Sequence, residues 1–202
     1  VHPLNTKALR GKALDQFPLI ENAFLTLRNG KIEEFGPMSE CPQDAPTTQD
    51  LTGKCVLPAL VDSHSHLVYA GTREQEFNLR LKGASYEEIA AAGGGILNSA
   101  GRVAATTLDE MQRQSALRLN RLIANGTGTL EIKSGYGLDP ENELKMLRTI
   151  KALNEASNAT LVPTFLAAHA LPSWAKTKGM NNATYTEYML DACLPTIKAE
   201  GL

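Results

Sequence analysis

A chain of 202 residues, 43% hydrophobic and 21% charged, has the make-up of an ordinary globular domain with room for a small second one. A formal charge of −2 leaves no basic footprint and argues against nucleic acid as a partner. No apolar run approaches the ~20 residues that span a bilayer, and Val1-His2-Pro3-Leu4-Asn5 lacks the charged-then-apolar pattern of an export signal. Cys41, Cys55 and Cys193 are odd in number, widely spaced and form no CxxC, so neither a disulfide framework nor a thiolate zinc site is expected. Inert packing of all three in a reducing cytoplasm is the expectation.

The first dozen or so residues show no clear period. From Leu19 the pattern tightens: Ala23 to Arg28 reads as a strand, Asn29-Gly30 as a two-residue turn and Lys31 to Phe35 as the return strand. Gly36-Pro37 ends the pairing, and residues 38 to 50 read as a polar, proline-rich surface loop. This opening β unit is too small for a core of its own.

The apolar run Val56-Leu57-Pro58-Ala59-Leu60-Val61 then reads as a strand buried on both faces, as in parallel sheets. It runs out into Asp62-Ser63-His64-Ser65-His66. Side chains alternate along a strand, so His64 and His66 should share one side and could grip one metal ion. A bare His-x-His is a weak signal. Its place at a strand end is what strengthens it, since parallel α/β folds carry their chemistry there.

Helix and strand signals alternate from here on. Ser85 and Glu88 form a capping box before a short helix that stops at Gly93-Gly94-Gly95. The glycine run reads either as a flexible connection or as a loop packed near a ligand. With no Lys-Ser/Thr pair after it, it is no Walker motif. Thr107 and Glu110 open a longer helix, with Leu108, Met111, Ser115, Leu119, Leu122 and Ile123 as its stripe and Gly126 as its stop. Thr127 to Lys133 reads as the second strand, broken by Ser134-Gly135-Tyr136-Gly137. Asp139-Pro140 starts a helix with the apolar face Leu144, Leu147, Ile150 and Leu153. Thr160 to Ala168 reads as a third buried strand ending at His169. A last helix from about Thr186 to Glu200 should be kinked or divided by Pro195. The order predicts an α/β fold with a parallel sheet and right-handed crossovers. No GxGxxG follows any strand, so a (β/α)₈ barrel is favoured over a dinucleotide-binding sheet.

Several strings turn this layout into a resemblance. Val61-Asp62-Ser63-His64-Ser65-His66-Leu67 resembles the first-strand motif of the amidohydrolase superfamily of metal-dependent (β/α)₈ barrels, whose N-terminal strands build a small β-sandwich. Ala70 to Phe77, Gly83 to Ile89, Ala92 to Ile96, Glu131 to Leu138, Glu143 to Arg148 and Thr164 to Ala170 are similar to the imidazolonepropionase family within it, in the right order. The resemblance runs from about residue 19 onward. It implies residues 1–55 as part of the β-sandwich and 56–202 as part of the barrel, with the first three barrel strands present.

The resemblance also implies His64 and His66 as ligands of one divalent metal, Zn or Fe. Arg73, Tyr86, Tyr136 and His169 become substrate contacts, with Tyr136 and His169 acting on the reacting ring. The implied substrate is the small anion 4-imidazolone-5-propanoate, and the implied assembly is a cytoplasmic homodimer with no membrane or nucleic-acid partner. A guanidinium at position 73 suits a carboxylate, which it can bind with two parallel hydrogen bonds. Lys133 is expected to pair with Glu131, two residues away on the same face.

The family has a further metal-binding His and Asp and a catalytic Glu on later strands. This chain has only 4 histidines, and the fourth, His2, lies far upstream, so the sequence reads as an N-terminal half. Two other readings stay open. One is a different cyclic amidohydrolase or deaminase of the superfamily; the other is an inactive fragment or binding module.

Overall fold

A computed structural model describes residues 10–16, 19–91 and 94–202. The chain divides into two compact units, Val1–Pro58 and Ala59–Leu202.

In the first unit, β1 (Ala23–Arg28) and β2 (Lys31–Pro37) pair antiparallel about the Asn29-Gly30 turn. Both turn residues have positive φ, 53° and 73°, as a two-residue hairpin turn matched to strand twist requires. Phe24 is the buried side chain of this hairpin. Among the described residues the unit holds this one two-stranded sheet.

The second unit is built on a parallel sheet in the order β3 (Leu60–Ser65), β4 (Thr127–Lys133), β5 (Thr160–Thr164). Four helices lie between β3 and β4: α1 (Glu74–Leu81), α2 (Tyr86–Ala91), α3 (Ile96–Ala105) and α4 (Leu108–Ala124). One, α5 (Pro140–Ala156), joins β4 to β5, and α6 (Ser173–Thr177) and α7 (Asn182–Glu200) follow.

The central strand explains the layering. Along β4, Leu130 and Ile132 are fully buried in a cluster with Met111, Leu119, Met146, Leu147 and Ile150 from α4 and α5. The alternate residues Thr129, Glu131 and Lys133 are only partly covered. Along β4, one face is thus apolar and carries helices, while the other is polar.

Helix starts follow the sequence closely. The Asp139 carboxylate accepts the Asn142 N–H at 2.9 Å, with Pro140 in the first turn. Ser85 and Glu88 cap each other reciprocally, at 2.8 and 3.2 Å. Thr107 Oγ1 accepts from Glu110 N, but the Glu110 side chain turns to Arg113 and Gln114 instead of closing a box.

Other expectations need correction. The first sheet strand begins at Leu60, not Val56, and Leu57, Leu60 and Val61 are exposed by 66%, 61% and 69% rather than buried on both faces. β5 ends at Thr164, so His169 stands in a turn beyond the strand. Pro163 lies inside β5, which among the described residues pairs with β4. α7 starts at Asn182, behind a reciprocal Asn181/Thr184 cap, and Pro195 sits within it without ending it. No described helix is long and apolar enough to cross a membrane.

The cysteines also divide. Cys193 is buried against Tyr185 and Met189, whereas Cys55 is exposed and not packed as expected. Burial first, and then the Glu143 and Asp139 charges, push the Cys193 thiol from 9.0 up to about 11. Its folded pKa lies above its unfolded one, so the stability it contributes is complete below about pH 9 and falls as pH rises toward 11. In a thiol-labelling experiment at pH 8, Cys55 is expected to react at once and Cys193 only on unfolding. Equal rates would contradict this burial.

Candidate active site

The three strand ends deliver four rings to one place. His64 lies near the end of β3, and His66 follows it by two residues. Tyr136 follows β4, and His169 follows the turn after β5. His66 is the hub. Its ring centroid lies 5.0 Å from that of Tyr136, nearly stacked, 5.7 Å from His64 and 5.9 Å from His169. Tyr136 and His169 meet edge to face at 6.2 Å.

The pairing of β3 with β4 slips between Asp62 and Ser65, so simple strand alternation does not govern this stretch. Hydrogen bonds hold it instead. Ser65 Oγ donates to the Glu131 carbonyl at 2.7 Å, and the Asp62 carboxylate accepts the His64 N–H at 3.2 Å. His64 is exposed and His66 half-buried.

Next to this cluster is a cleft of about 270 Å³ lined by His66, Tyr69, Gly71, Thr72, Arg73, Ser99 and Tyr136. It places the Arg73 guanidinium beside the rings of His66 and Tyr136. Both Nε and a terminal nitrogen of Arg73 donate to one Glu76 oxygen, and this bonding holds the Glu76 carboxyl below its usual range. The Tyr86 side chain lies outside the described residues.

Tyr69, Thr72 and Ser99 were not foreseen. Tyr69 had a signal, three residues past His66 on the same segment; Ser99, in a small-residue helix after the glycine run, had none. Below Tyr69, the Arg118 guanidinium lies 3.8 Å from its ring centroid and donates to its carbonyl at 2.8 Å.

The charges suit ligation by neutral imidazole. Burial lowers the His66 pKa first, and the neighbouring His169, His64 and Lys133 add to it. Lys133 Nζ donates to Glu131 Oε1 at 2.5 Å, the pair the sequence suggested. Burial pushes the Glu131 carboxyl up, but hydrogen bonds from Lys133, Thr164 and Ser65 outweigh it and leave the pKa lowered.

His66 Nδ1 is buried and has no hydrogen-bond partner among the described residues. An orphaned ring nitrogen beside a second imidazole fits a cation. Still, no group of three or more His, Cys, Asp or Glu side chains that could hold a metal occurs among the described residues. The set fits part of a metal site, short of the three protein ligands a catalytic zinc normally has.

The loop carrying Tyr136 is held unusually firmly. Gly135 has φ 105° and Leu138 φ 56°, the latter costing a non-glycine residue roughly 1–2 kcal/mol. Gly135 packs so closely on the β5 turn that a Cβ there would stand 3.0 Å from the Leu166 carbonyl and 3.3 Å from the His169 Cβ. Ser134 Oγ accepts the Leu166 N–H at 2.9 Å and ties the two loops together. At the far end, the Leu138 carbonyl accepts from Trp174 Nε1 at 3.2 Å and from the Tyr185 hydroxyl at 3.1 Å.

A parallel α/β sheet that gathers imidazoles, a phenol and a guanidinium around a small cleft at its strand ends has the layout of an enzyme site for a small molecule. No family model matches the chain. The chain is, however, similar along its whole length to proteins named imidazolonepropionase. It is 46% identical to that of Christiangramia forsetii and 45% to that of Flavobacterium johnsoniae, with 100% of this chain and 49% of each relative covered. It is 45% identical to that of Agrobacterium fabrum, over 94% of this chain and 45% of the relative. The chain thus spans about half the length of the curated relatives it matches.

Proposed function

We propose that this chain is the N-terminal half of an imidazolonepropionase, whose whole protein hydrolyses 4-imidazolone-5-propanoate to N-formimidoyl-L-glutamate in histidine degradation. The observation that carries this reading is the similarity to proteins of that name, which covers the chain from end to end. The geometry supports it, because every site residue expected from the sequence with a described side chain lies in or beside one cluster and cleft.

The roles follow from chemistry. His64 and His66 would hold one divalent cation, Zn or Fe, both of which imidazole suits. When bound, the metal lowers the pKa of a water and polarises a carbonyl. Arg73 binds the propanoate. His169, exposed at the mouth, donates a hydrogen bond to the ring carbonyl oxygen and stabilises the negative charge that develops on it. Tyr136, stacked on His66, acts on the reacting ring through its hydroxyl, and Tyr86 is a further substrate contact. The three-stranded sheet is the start of a (β/α)₈ barrel over residues 56–202, and 1–55 is part of a small β-sandwich. The assembly is a cytoplasmic homodimer.

The reading is tested by giving the complete, metal-loaded enzyme imidazolonepropanoate, dihydroorotate and an amino-substituted nucleobase in parallel. Turnover of the first alone is expected; preference for either of the others would overturn it. Arg73→Met is expected to weaken substrate binding by ~10- to 100-fold, the worth of charge-assisted hydrogen bonds of roughly 1.5–3 kcal/mol. It should also erase the preference for the acid over an uncharged ring analogue. A preserved preference would show that the carboxylate binds elsewhere.

A further inference from the structure

Glu143 is fully buried in the first turns of α5, yet it is absent from the cleft lining. Its carboxylate accepts three backbone N–H groups from the Tyr136 loop. Oε2 takes Gly135 at 2.9 Å, and Oε1 takes Gly137 at 2.7 Å and Leu138 at 2.9 Å. The three donors bracket Tyr136 on both sides. Two of them, Gly135 and Leu138, belong to the residues with positive φ.

Successive N–H groups that converge in such a turn make a nest for an anion, and here the chain's own carboxylate fills it. The approach depends on Gly137, where a Cβ would lie 2.4 Å from the Glu143 nitrogen. A backbone this far from its preferred angles persists only when its surroundings over-determine it.

We propose that Glu143 is a positioning residue for the reaction, setting the place of the Tyr136 ring by clamping the backbone on both sides of it. This rests on the proposed role of Tyr136 at the reacting ring. Glu143 touches no substrate and acts through the loop alone. Glutamine is nearly the same shape but keeps one acceptor oxygen, so its NH₂ must face a backbone N–H. Glu143→Gln therefore loosens the clamp without opening a cavity.

The experiment is a double-mutant cycle in the complete enzyme with imidazolonepropanoate. Glu143→Gln alone is expected to lower kcat about tenfold with less than a twofold change in KM, because a misplaced ring loses contacts made in the transition state. In a Tyr136→Phe background the same change should cost less than twofold, since the hydroxyl it positions is already gone. Wild-type kcat in Glu143→Gln, or an equal loss in both backgrounds, would overturn the proposal and leave Glu143 a fold residue only. Should the glutamine variant not fold, Glu143→Asp, one methylene shorter, takes its place in the same cycle, and the same two results would overturn the proposal.

A separate readout is the emission of Trp174, the chain's one tryptophan, which is hydrogen-bonded to the Leu138 carbonyl. A shift in Glu143→Gln that vanishes when Trp174→Phe is added shows the loop has moved; an unshifted spectrum overturns the clamp. If Tyr136→Phe alone leaves kcat unchanged, the proposed role of Tyr136 fails, and the positioning role of Glu143 in catalysis is overturned with it. The Trp174 shift then shows whether the clamp itself exists.

Discussion

In the complete enzyme, His66→Ala is expected to strip most of the bound metal and to lower turnover by more than the ~10–100-fold that loss of a mere supporting partner costs. Three features make this the most damaging single change at the site. His66 has its centroid within 5.9 Å of three other rings. Its Nδ1 is buried without a partner among the described residues. Its proton affinity is depressed, which leaves a ring nitrogen ready for a cation at neutral pH. His64→Ala should fall in the same class, though His64 is exposed and has one neighbouring ring among these contacts, His66. Metal per protein by elemental analysis, alongside turnover, is the measurement. Full metal content in the double variant would place the ion elsewhere.

Residues 1–202 produced alone are expected to show no imidazolonepropanoate hydrolysis and a concentration-dependent tendency to associate. β3 and β5 are the edges of the described three-stranded sheet, and strand edges with unpaired backbone groups recruit other chains. Leu60, Val61 and Val162 are exposed by 61%, 69% and 46%, apolar area of the kind that drives association. Two imidazoles are also fewer than a catalytic zinc's usual three protein ligands. Light scattering, metal content and turnover of the isolated polypeptide check this. A monomeric, metal-loaded, active product would sink both the barrel and the half-enzyme reading.

The parts that could be read from sequence were those set by local chemistry. Asp139-Pro140 begins α5, and Asn29-Gly30 turns the hairpin, because a cap or a turn is decided within a few residues. The stripe of α4 could be read because Met111, Ser115 and Leu119 recur at helical spacing and are buried. α1 could not, since it buries no residue and has no apolar face to announce it. α6 is too short to show a period, and in α3 only Ser99 and Val103 are buried.

Strand ends were misjudged for a related reason. An apolar run does not say where pairing starts or stops. The run from Thr160 to Ala168 therefore hid the turn after Thr164 that carries His169. Glu143 was invisible as well. An acid near a helix start reads as a solvated partner of the helix dipole, and only the folded loop shows its carboxylate enclosed.

The hydrogen bonds at Leu138 divide the cleft into a slow wall and a quick one. One carbonyl receives the Trp174 indole and the Tyr185 phenol, whose hydroxyl also lies 3.2 Å from the Ala167 carbonyl, while Glu143 closes the other side of the loop. Three amides of the loop donate to the buried Glu143 carboxylate of α5, so they are expected to exchange slowly with solvent. Another part of the lining, Gly71 to Arg73, leads into α1, which has no buried residue and is held chiefly by polar contacts such as Arg102 to the Thr72 carbonyl. Opening of the cleft is expected there first. With the roles proposed above for Tyr136 and Arg73, the reacting ring would meet the firmly held side and the carboxylate the more yielding one.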